Sequence, residues 1–581
     1  MPDYKQSVIY QIYPRSFADS NGDGIGDLRG IISKLDYLAD LGIDILWLSP
    51  VFESPNADNG YDISDYEAIM PEFGTMADFD QLLAGAHQRG LKLILDLVVN
   101  HTSDEHRWFQ ESRKSRDNPF RDYYIWKKAK PNGDAPNNWQ SFFSGSAWKL
   151  DEQTGEYYLH LFAEKQPDLN WEHEPLRQAV YQMMRFWLDK GVDGFRMDVI
   201  PFLSKDPAFP DYPEGRFGDL TIHANGPRIH EFLGEMHREV LAHYTAHDGS
   251  PERRNALITI GEGFGVSAHQ ANLYVGANRH ELGMIYHFDH AVPREEHRFL
   301  DPAQELTLSE LKAIFARWNT ALDADSIANS GRADVSGPTG PGWQNVYFGN
   351  HDNPRILSRF GDPHEFHYQS STLLATVLLT QRGTPGIYQG DELGMSNCPF
   401  GSIAEFDDIQ VKNAYRELVE KRGGSAVQFL AVANRIARDH ARTPMQWANV
   451  PGAGFTTGTP WLKINPNVLE VNVAAQQADG QSVLAYYKRL LKFRKTTPVL
   501  HQGTYLDLLP NHADLWVFER VLDKVRYVTV ANFSGGSAAF PANISGEIVF
   551  GNYSDVASEL HPWEVRVLVG KPARLEINLT G

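Results

Sequence analysis

Cysteine is nearly missing from this chain: Cys398 is the only one in 581 residues. No internal disulfide can form, and a zinc site built on cysteines is not expected. Nothing beside Cys398 would lower a thiol pKa, so it reads as a packed or loop residue and not as a nucleophile. Positive charge is also scarce, with 54 Lys and Arg against 74 Asp and Glu and a formal net charge of −20. Nucleic acid and anionic membrane surfaces reward clustered cations, so both are excluded as expected partners and a small neutral ligand fits better. No apolar run approaches the length of a membrane span, and the first seven residues carry no apolar core of a signal peptide. The expected location is therefore cytoplasmic. A hydrophobic content of 42% with 22% charged residues excludes disorder as the default state.

What is present is an alternation. Segments 8–17, 43–50, 91–101, 192–199, 256–262, 284–288, 345–352 and 384–389 are apolar and short, as expected of strands. Segments 75–89, 174–190, 228–243, 307–321, 368–381 and 482–494 carry apolar residues at spacings of three and four between Gly or Pro boundaries, as expected of helices. Strand alternating with helix implies a parallel sheet, and eight strands are enough to close an α/β TIM barrel.

Two stretches break this rhythm. Residues 102–173, after the third strand, are rich in aromatics, Asn and Gly and too long for a loop, which predicts an inserted small domain. From about Val499 the helical pattern gives way to alternating segments, which predicts a C-terminal antiparallel β domain. The domain reading is thus 1–101 and 174–498 for the barrel, 102–173 for the insertion and 499–581 for the β domain. The Gly-, Pro- and Ser-rich stretch 324–342, between the sixth helix and the seventh strand, is expected on the barrel face opposite the chemistry.

Three of the strands finish in acids: Asp198 in Gly194-Phe195-Arg196-Met197-Asp198, Glu262 in Thr259-Ile260-Gly261-Glu262, and Asp352 in Asn350-His351-Asp352. An acid just beyond the last core position of a parallel strand projects from the C-terminal edge of a barrel, where carboxylates from different strands converge. Glycosidic cleavage suits such a set. Its oxocarbenium-like transition state needs one protonated and one ionised carboxyl group close together.

These blocks, with Asp96-Leu97-Val98-Val99-Asn100-His101 and Gln166-Pro167-Asp168-Leu169-Asn170, occur in the order of the α-glucosidase branch of the α-amylase superfamily of retaining glycoside hydrolases. The chain resembles that branch over essentially its whole length, and most of all its oligo-1,6-glucosidases and dextran glucosidases. The resemblance implies Asp198 as nucleophile, Glu262 as general acid and base, and Asp352 as the carboxylate that stabilises the distorted sugar. Arg196 is expected to keep Asp198 ionised. The resemblance further implies sugar contacts from His101 and His351, an Asp62–Arg438 pair closing the non-reducing end of the pocket, and Arg442 nearby. Tyr61 and Phe162 are candidates for stacking on sugar faces.

No organic cofactor is implied. Asp19-Ser20-Asn21-Gly22-Asp23-Gly24-Ile25-Gly26-Asp27 places oxygen ligands at alternate positions without the closing Glu of an EF-hand. Its similarity to the calcium loop of these glucosidases implies a structural Ca2+, with Mg2+ the alternative, held by Asp19, Asn21, Asp23, the Ile25 carbonyl and Asp27.

Val199 after the nucleophile and Gln166 in its block resemble the α-1,6-cleaving type. The expected enzyme is an exo-acting retaining α-glucosidase acting on isomalto-oligosaccharides, as a monomer or dimer. The alternatives are an α-1,4-glucosidase or a transglucosylase acting on maltose or sucrose. Sucrose isomerases usually carry Arg-Leu-Asp-Arg-Asp some thirty residues beyond the acid, where this chain has Val292-Pro293-Arg294-Glu295-Glu296. A silent transporter-associated subunit of the same fold needs a membrane span and can lose its carboxylates, whereas this chain keeps all three.

Overall fold

The computed structural model describes residues 3–213, 220–245, 257–291, 299, 306–323 and 340–570. Eight parallel strands make one sheet: β1 Ile9–Ile12, β2 Ile45–Leu48, β3 Lys92–Leu97, β4 Gly194–Met197, β5 Ile258–Glu262, β6 Met284–Tyr286, β7 Asn345–Val346 and β8 Thr384–Tyr388. Their order is β6-β5-β4-β3-β2-β1-β8-β7, and a parallel bridge between Ile285 and Gln344 joins the two ends. This is the TIM barrel. Each strand lies inside its predicted segment but is shorter; except at β5, which keeps Glu262, the segment's last residues leave the ladder at the barrel mouth. At β7 the strand stops at Val346, so Asp352 stands in a following turn where the Asn350 side chain accepts the Asp352 N–H at 2.8 Å.

The strands are buried on both sides. Leu93, Ile94, Leu95 and Leu97 of β3 are no more than 1% exposed, which explains their nearly continuous apolar run. One glycine is dictated by packing. Gly194 opens β4 at φ 148°, and a Cβ there would meet the Ile258 carbonyl oxygen of β5 at 1.9 Å.

The predicted helices form close to their expected bounds as Met76–Gln88, Glu174–Lys190, Leu308–Asp323, His367–Thr380 and Val483–Lys495. Thr75 and Asp78 close a reciprocal capping box at the start of the first, and Gly191 ends the second in the left-handed conformation. The helix expected over 228–243 begins as Ile229–Met236 and continues through a π turn, His237–Leu241.

Within the insertion, Trp126–Lys128, Glu156–Leu159 and Trp148–Asp151 pair as a three-stranded antiparallel sheet. A bridge between His101 and Asp168 ties its two ends to the barrel mouth. At the C-terminus β9 Thr504–Asp507, β10 Leu515–Leu522, β11 Val525–Asn532, β12 Glu547–Gly551 and β13 Val565–Gly570 form an antiparallel sheet in the order β9-β10-β11-β13-β12. Helical structure persists to Gln502, just past the expected boundary, because Pro498 opens one more short helix. The positions 292–296 and 324–339 lie outside the described residues. Among the described residues no helix is long and apolar enough to cross a membrane.

Candidate active site

Strand register assembles the site. Asp96 of β3 pairs with Arg196 of β4, and Glu262 of β5 pairs with Tyr286 of β6. Arg196 is wholly buried. Its Nη1 donates to Asp96 and, at 2.7 Å, to Asp198 Oδ1. Its Nη2 donates to Glu262 Oε2 and to the Tyr286 hydroxyl, both at 2.6 Å. One cation thus serves three carboxylates, and it lies beneath the pocket without lining it.

Burial raises the pKa of Asp198 to about 6 against the pull of Arg196. Arg196 favours the ionised nucleophile, as expected, and desolvation opposes it as the larger effect. A hydrogen bond from Glu262 also favours the charged form of Asp198.

Val199 connects the two. It is a β-branched residue at φ 34° and ψ 42°, in the left-handed region, and its N–H donates to Glu262 Oε2 at 2.9 Å. Such a conformation costs about 1–3 kcal/mol. It turns the chain sharply after the nucleophile, aims a main-chain donor at the acid and puts the Val199 side chain in the pocket wall.

The pocket is lined by Asp198, Glu262, Asp352, Val199, Tyr61, His101, His351, Phe143, Phe162, Asp58 and Arg438. Asp352 Oδ1 accepts from Arg438 Nη1 and from Arg442 Nη2, each at 3.1 Å. Arg442 Nε donates to the His351 carbonyl, so Arg442 braces the turn from behind and does not line the cavity.

The wall partner of Arg438 is Asp58, at 3.5 Å, and not Asp62 as the sequence reading had it. Asp62 is fully buried below, where its two oxygens accept the N–H groups of Ala57 and Asp58 at 2.8 and 2.9 Å. It shapes the loop that delivers Asp58. Gln166 is also outside the cavity: its Nε2 donates to Asp58 Oδ2 at 3.2 Å and lies 3.2 Å from His101 Nε2. Asp408 grips Arg438 from the far side at 2.6 Å, and Arg438 in return lowers the Asp408 pKa against the effect of burial.

His351 is held neutral, its pKa pushed by burial down to about 3. Gln11 Nε2 donates to its Nδ1 at 2.7 Å, leaving the Nε2 proton for a ligand or for Asp352 Oδ2 at 3.4 Å. Tyr61 stacks on the His351 ring at 5.2 Å with an interplanar angle of 2°. Phe162 packs on His101 at 5.2 Å, and burial lowers the His101 pKa.

Sequence reasoning missed Asp58, Phe143 and Asp408. Asp58 was within reach, since it stands four residues before Asp62 in the same polar loop; the other two carried no local signal.

In the Asp19–Asp27 loop each acceptor folds over a nearby main-chain N–H. Asp19 Oδ1 takes those of Asn21 and Gly22, Asn21 Oδ1 that of Asp23, and Asp23 Oδ1 that of Ile25. Asp27 Oδ2 accepts from Ser20, and its Oδ1 caps Gly30. The donor set is all oxygen, which fits a hard divalent cation. Among the described residues no three His, Cys, Asp or Glu side chains are drawn together as a metal cluster, so a cation here would also depend on Asn21 and main-chain oxygens.

Comparison with known proteins gives a consistent result. The family model described as "Alpha amylase, catalytic domain" matches residues 11–503. An oligo-1,6-glucosidase of Parageobacillus thermoglucosidasius is 48% identical, covering 97% of this chain and 98% of its own. Another from Bacillus cereus is 48% identical over 97% of this chain and 95% of its own. Among solved structures, an isomaltulose synthase variant of Erwinia rhapontici in complex with sucrose superposes with a TM-score of 0.89 at 42% identity, covering 98% of this chain and 99% of that one.

Proposed function

We propose that this chain, which belongs to the α-amylase family and is a glycoside hydrolase, is an exo-acting retaining α-glucosidase that removes single glucose units from isomalto-oligosaccharides. The observation that carries the reading is the set of ion pairs that joins Asp58, Arg438 and Asp352 across one wall of the pocket. In this reading that wall receives the chain end and bars a chain middle. Buried charged groups also bind sugar hydroxyls with a penalty for any substrate that leaves them unpaired.

In the first half-reaction Glu262 gives its proton to the glycosidic oxygen and an Asp198 oxygen forms a bond to C1 as the bond from C1 to the glycosidic oxygen breaks. In the second, Glu262, now ionised, removes a proton from the water that attacks C1, the bond from C1 to Asp198 breaks, and α-glucose leaves with its configuration retained. Asp352 stabilises the flattened sugar, and neutral His351 donates to a ring hydroxyl. Val199 and Gln166 support the α-1,6 preference, the first by shaping the wall beside the nucleophile and the second by setting Asp58 and His101. The oligo-1,6-glucosidases reported above point the same way.

A second reading, glucosyl transfer from sucrose or maltose, draws on the likeness to the sucrose-bound isomaltulose synthase. Incubation with isomaltose, maltose and sucrose separately, followed by NMR of the anomeric protons from the earliest times, tests both. Preferential release of α-glucose from isomaltose supports the first; faster sucrose turnover into new glucosides supports the second.

The loop of Asp19, Asn21, Asp23, Ile25 and Asp27 holds a structural Ca2+ or Mg2+ in this reading, supported by its oxygen-only donors. A cytoplasmic location is supported by the lone buried thiol of Cys398, whose pKa burial pushes up to about 12.

A further inference from the structure

A second, smaller cavity lies inside the barrel, among Gln11 of β1, Trp47 of β2, Tyr286 of β6 and Asn350 of the turn after β7, and its volume of about 10 Å³ is room for one water molecule. Most polar side chains along it are engaged elsewhere. Trp47 Nε1 donates to Asp96, the Tyr347 hydroxyl to the His287 carbonyl, the Tyr388 hydroxyl to the Ala441 carbonyl and Asn345 Nδ2 to the Thr384 carbonyl, while the Tyr286 hydroxyl accepts from Arg196. Among the described residues of the lining, two side-chain groups are left over: Gln11 Oε1, an acceptor, and Asn350 Nδ2, a donor. Both residues are 3% exposed. The Asn350 amide cannot turn round, because its Oδ1 already accepts the Asp352 N–H and Asn353 Nδ2, each at 2.8 Å. Its Nδ2 therefore needs an acceptor in the cavity.

We propose that this cavity is a binding site for a single water, which accepts from Asn350 Nδ2 and donates to Gln11 Oε1, and that Gln11 so oriented is a positioning residue that fixes the ring tautomer of His351. The inference rests on the glucosidase reading above, in which His351 donates to a sugar hydroxyl. The two ends of an amide are told apart by what they bond. With Oε1 on the water, Gln11 Nε2 is left to donate to Ser49 Oγ at 3.1 Å and to His351 Nδ1 at 2.7 Å. Nδ1 is then an acceptor, so the one proton of the neutral ring sits on Nε2, the nitrogen 3.4 Å from Asp352 Oδ2. Turned round, the Gln11 amide would set Oε1 against Nδ1 and draw the ring proton there, leaving Nε2 without a hydrogen for the substrate. The cavity would then offer the water two amide donors and neither amide oxygen. The choice between the tautomers is thus made at Asn350, in the same turn as His351 and Asp352.

Two measurements test this. Nitrogen NMR of protein carrying isotope-labelled histidine, with His351→Gln to assign the signal, is expected to show at neutral pH a hydrogen on Nε2 and none on Nδ1. A hydrogen on Nδ1 overturns the proposal, as does a high-resolution crystal structure in which the cavity is dry. The second measurement is the pH profile of kcat/KM for 4-nitrophenyl α-D-glucoside in wild type, Gln11→Glu and Gln11→Leu. The carboxylate of Gln11→Glu can only accept, so the ring proton moves to Nδ1 and kcat/KM is expected to fall about tenfold at neutral pH. Toward acid, one added proton, taken by the new carboxylate or by the ring, returns a hydrogen to Nε2, and the deficit against wild type shrinks. The charged groups around the ring, Asp352, Arg442, Arg196 and Arg438, are the same in all three proteins. Gln11→Leu has nothing to titrate and is expected to keep one deficit at every pH. A deficit constant with pH in Gln11→Glu, or shrinking equally in both variants, overturns the proposal. If Gln11→Glu does not fold, the tautomer measured in wild type decides. Failure of the wild type to hydrolyse the aryl glucoside overturns the glucosidase reading instead and leaves the tautomer measurement standing.

Discussion

The assignment of Asp58 to the Arg438 wall of the pocket predicts a separation of activity from stability in Asp58→Asn. Asp58 is 6% exposed and accepts one hydrogen bond from Gln166, with Arg438 at 3.5 Å. Its remaining acceptor capacity faces the cavity, where a terminal glucose presents adjacent hydroxyls. A hydrogen bond to a charged group is worth about 1.5–3 kcal/mol. Losing two of them from the transition state removes about 3–6 kcal/mol, or a factor of about 10²–10⁴ in kcat/KM. Stability follows the opposite logic. Burial raises the Asp58 pKa, so a neutral amide of the same shape relieves a desolvated charge, and Arg438 keeps Asp408 and Asp352 as partners. The melting temperature is therefore expected to hold or rise while kcat/KM on isomaltose collapses. Asp62→Asn is the control: it replaces an acceptor of two main-chain N–H groups and is expected to lower stability by about 1–3 kcal/mol with the smaller loss of activity. Thermal unfolding and steady-state kinetics on both variants settle the matter. Asp58→Asn within threefold of wild type, with Asp62→Asn inactive and stable, would refute the assignment.

Other consequences can be measured on the same protein. The folded pKa of Asp198 is raised from 3.8 to about 6, so its charged form costs stability: none below the unfolded pKa, then a growing cost as pH rises to about 6, reaching about 3 kcal/mol. Asp198→Asn should be inactive yet more stable at pH 7 by up to that amount, and urea unfolding at acid pH should show the gain disappearing. Val199→Gly should cost about 1–2 kcal/mol, because relief of left-handed strain offsets part of the lost burial. The comparison is Val98→Gly, at a buried position outside the left-handed region; equal losses would show that no strain is stored at Val199. If the Asp19–Asp27 loop binds calcium, adding Ca2+ to chelator-treated protein should raise the melting temperature of wild type. The same addition to Asp23→Ala should raise it far less, and an identical response in both would remove the loop from consideration.

How much could be read without the structure differs by element. The barrel was legible because its strands are buried on both faces, which leaves nearly continuous apolar runs such as 93–99, broken only by Asp96, and because helices of matching period lie between them. Asp198 and Glu262 were legible for the same reason, as each closes an apolar run. Asp352 was found although its strand ends at Val346, because it closes the segment 345–352 and stands in a block shared with the family the chain resembles.

The wall of the pocket was another matter. Asp58 and Asp62 lie in one loop, and both are acids before or after Gly60, which adopts φ 98°. Nothing local says which of them turns toward the cavity. That choice is made by Arg438, 380 residues away along the chain, and by Gln166 from the insertion. The Arg196 network is decided in the same way, since adjacent strands in register bring Asp96 beside it and desolvation then outweighs the single cation in setting the charge of Asp198. Sequence by itself determined the periodic elements and the acids that end them, because burial imposes a pattern on neighbouring residues. Only the tertiary structure decided the partners and pKa values of those acids, because charge acts across space between strands and loops that have no fixed relation along the chain.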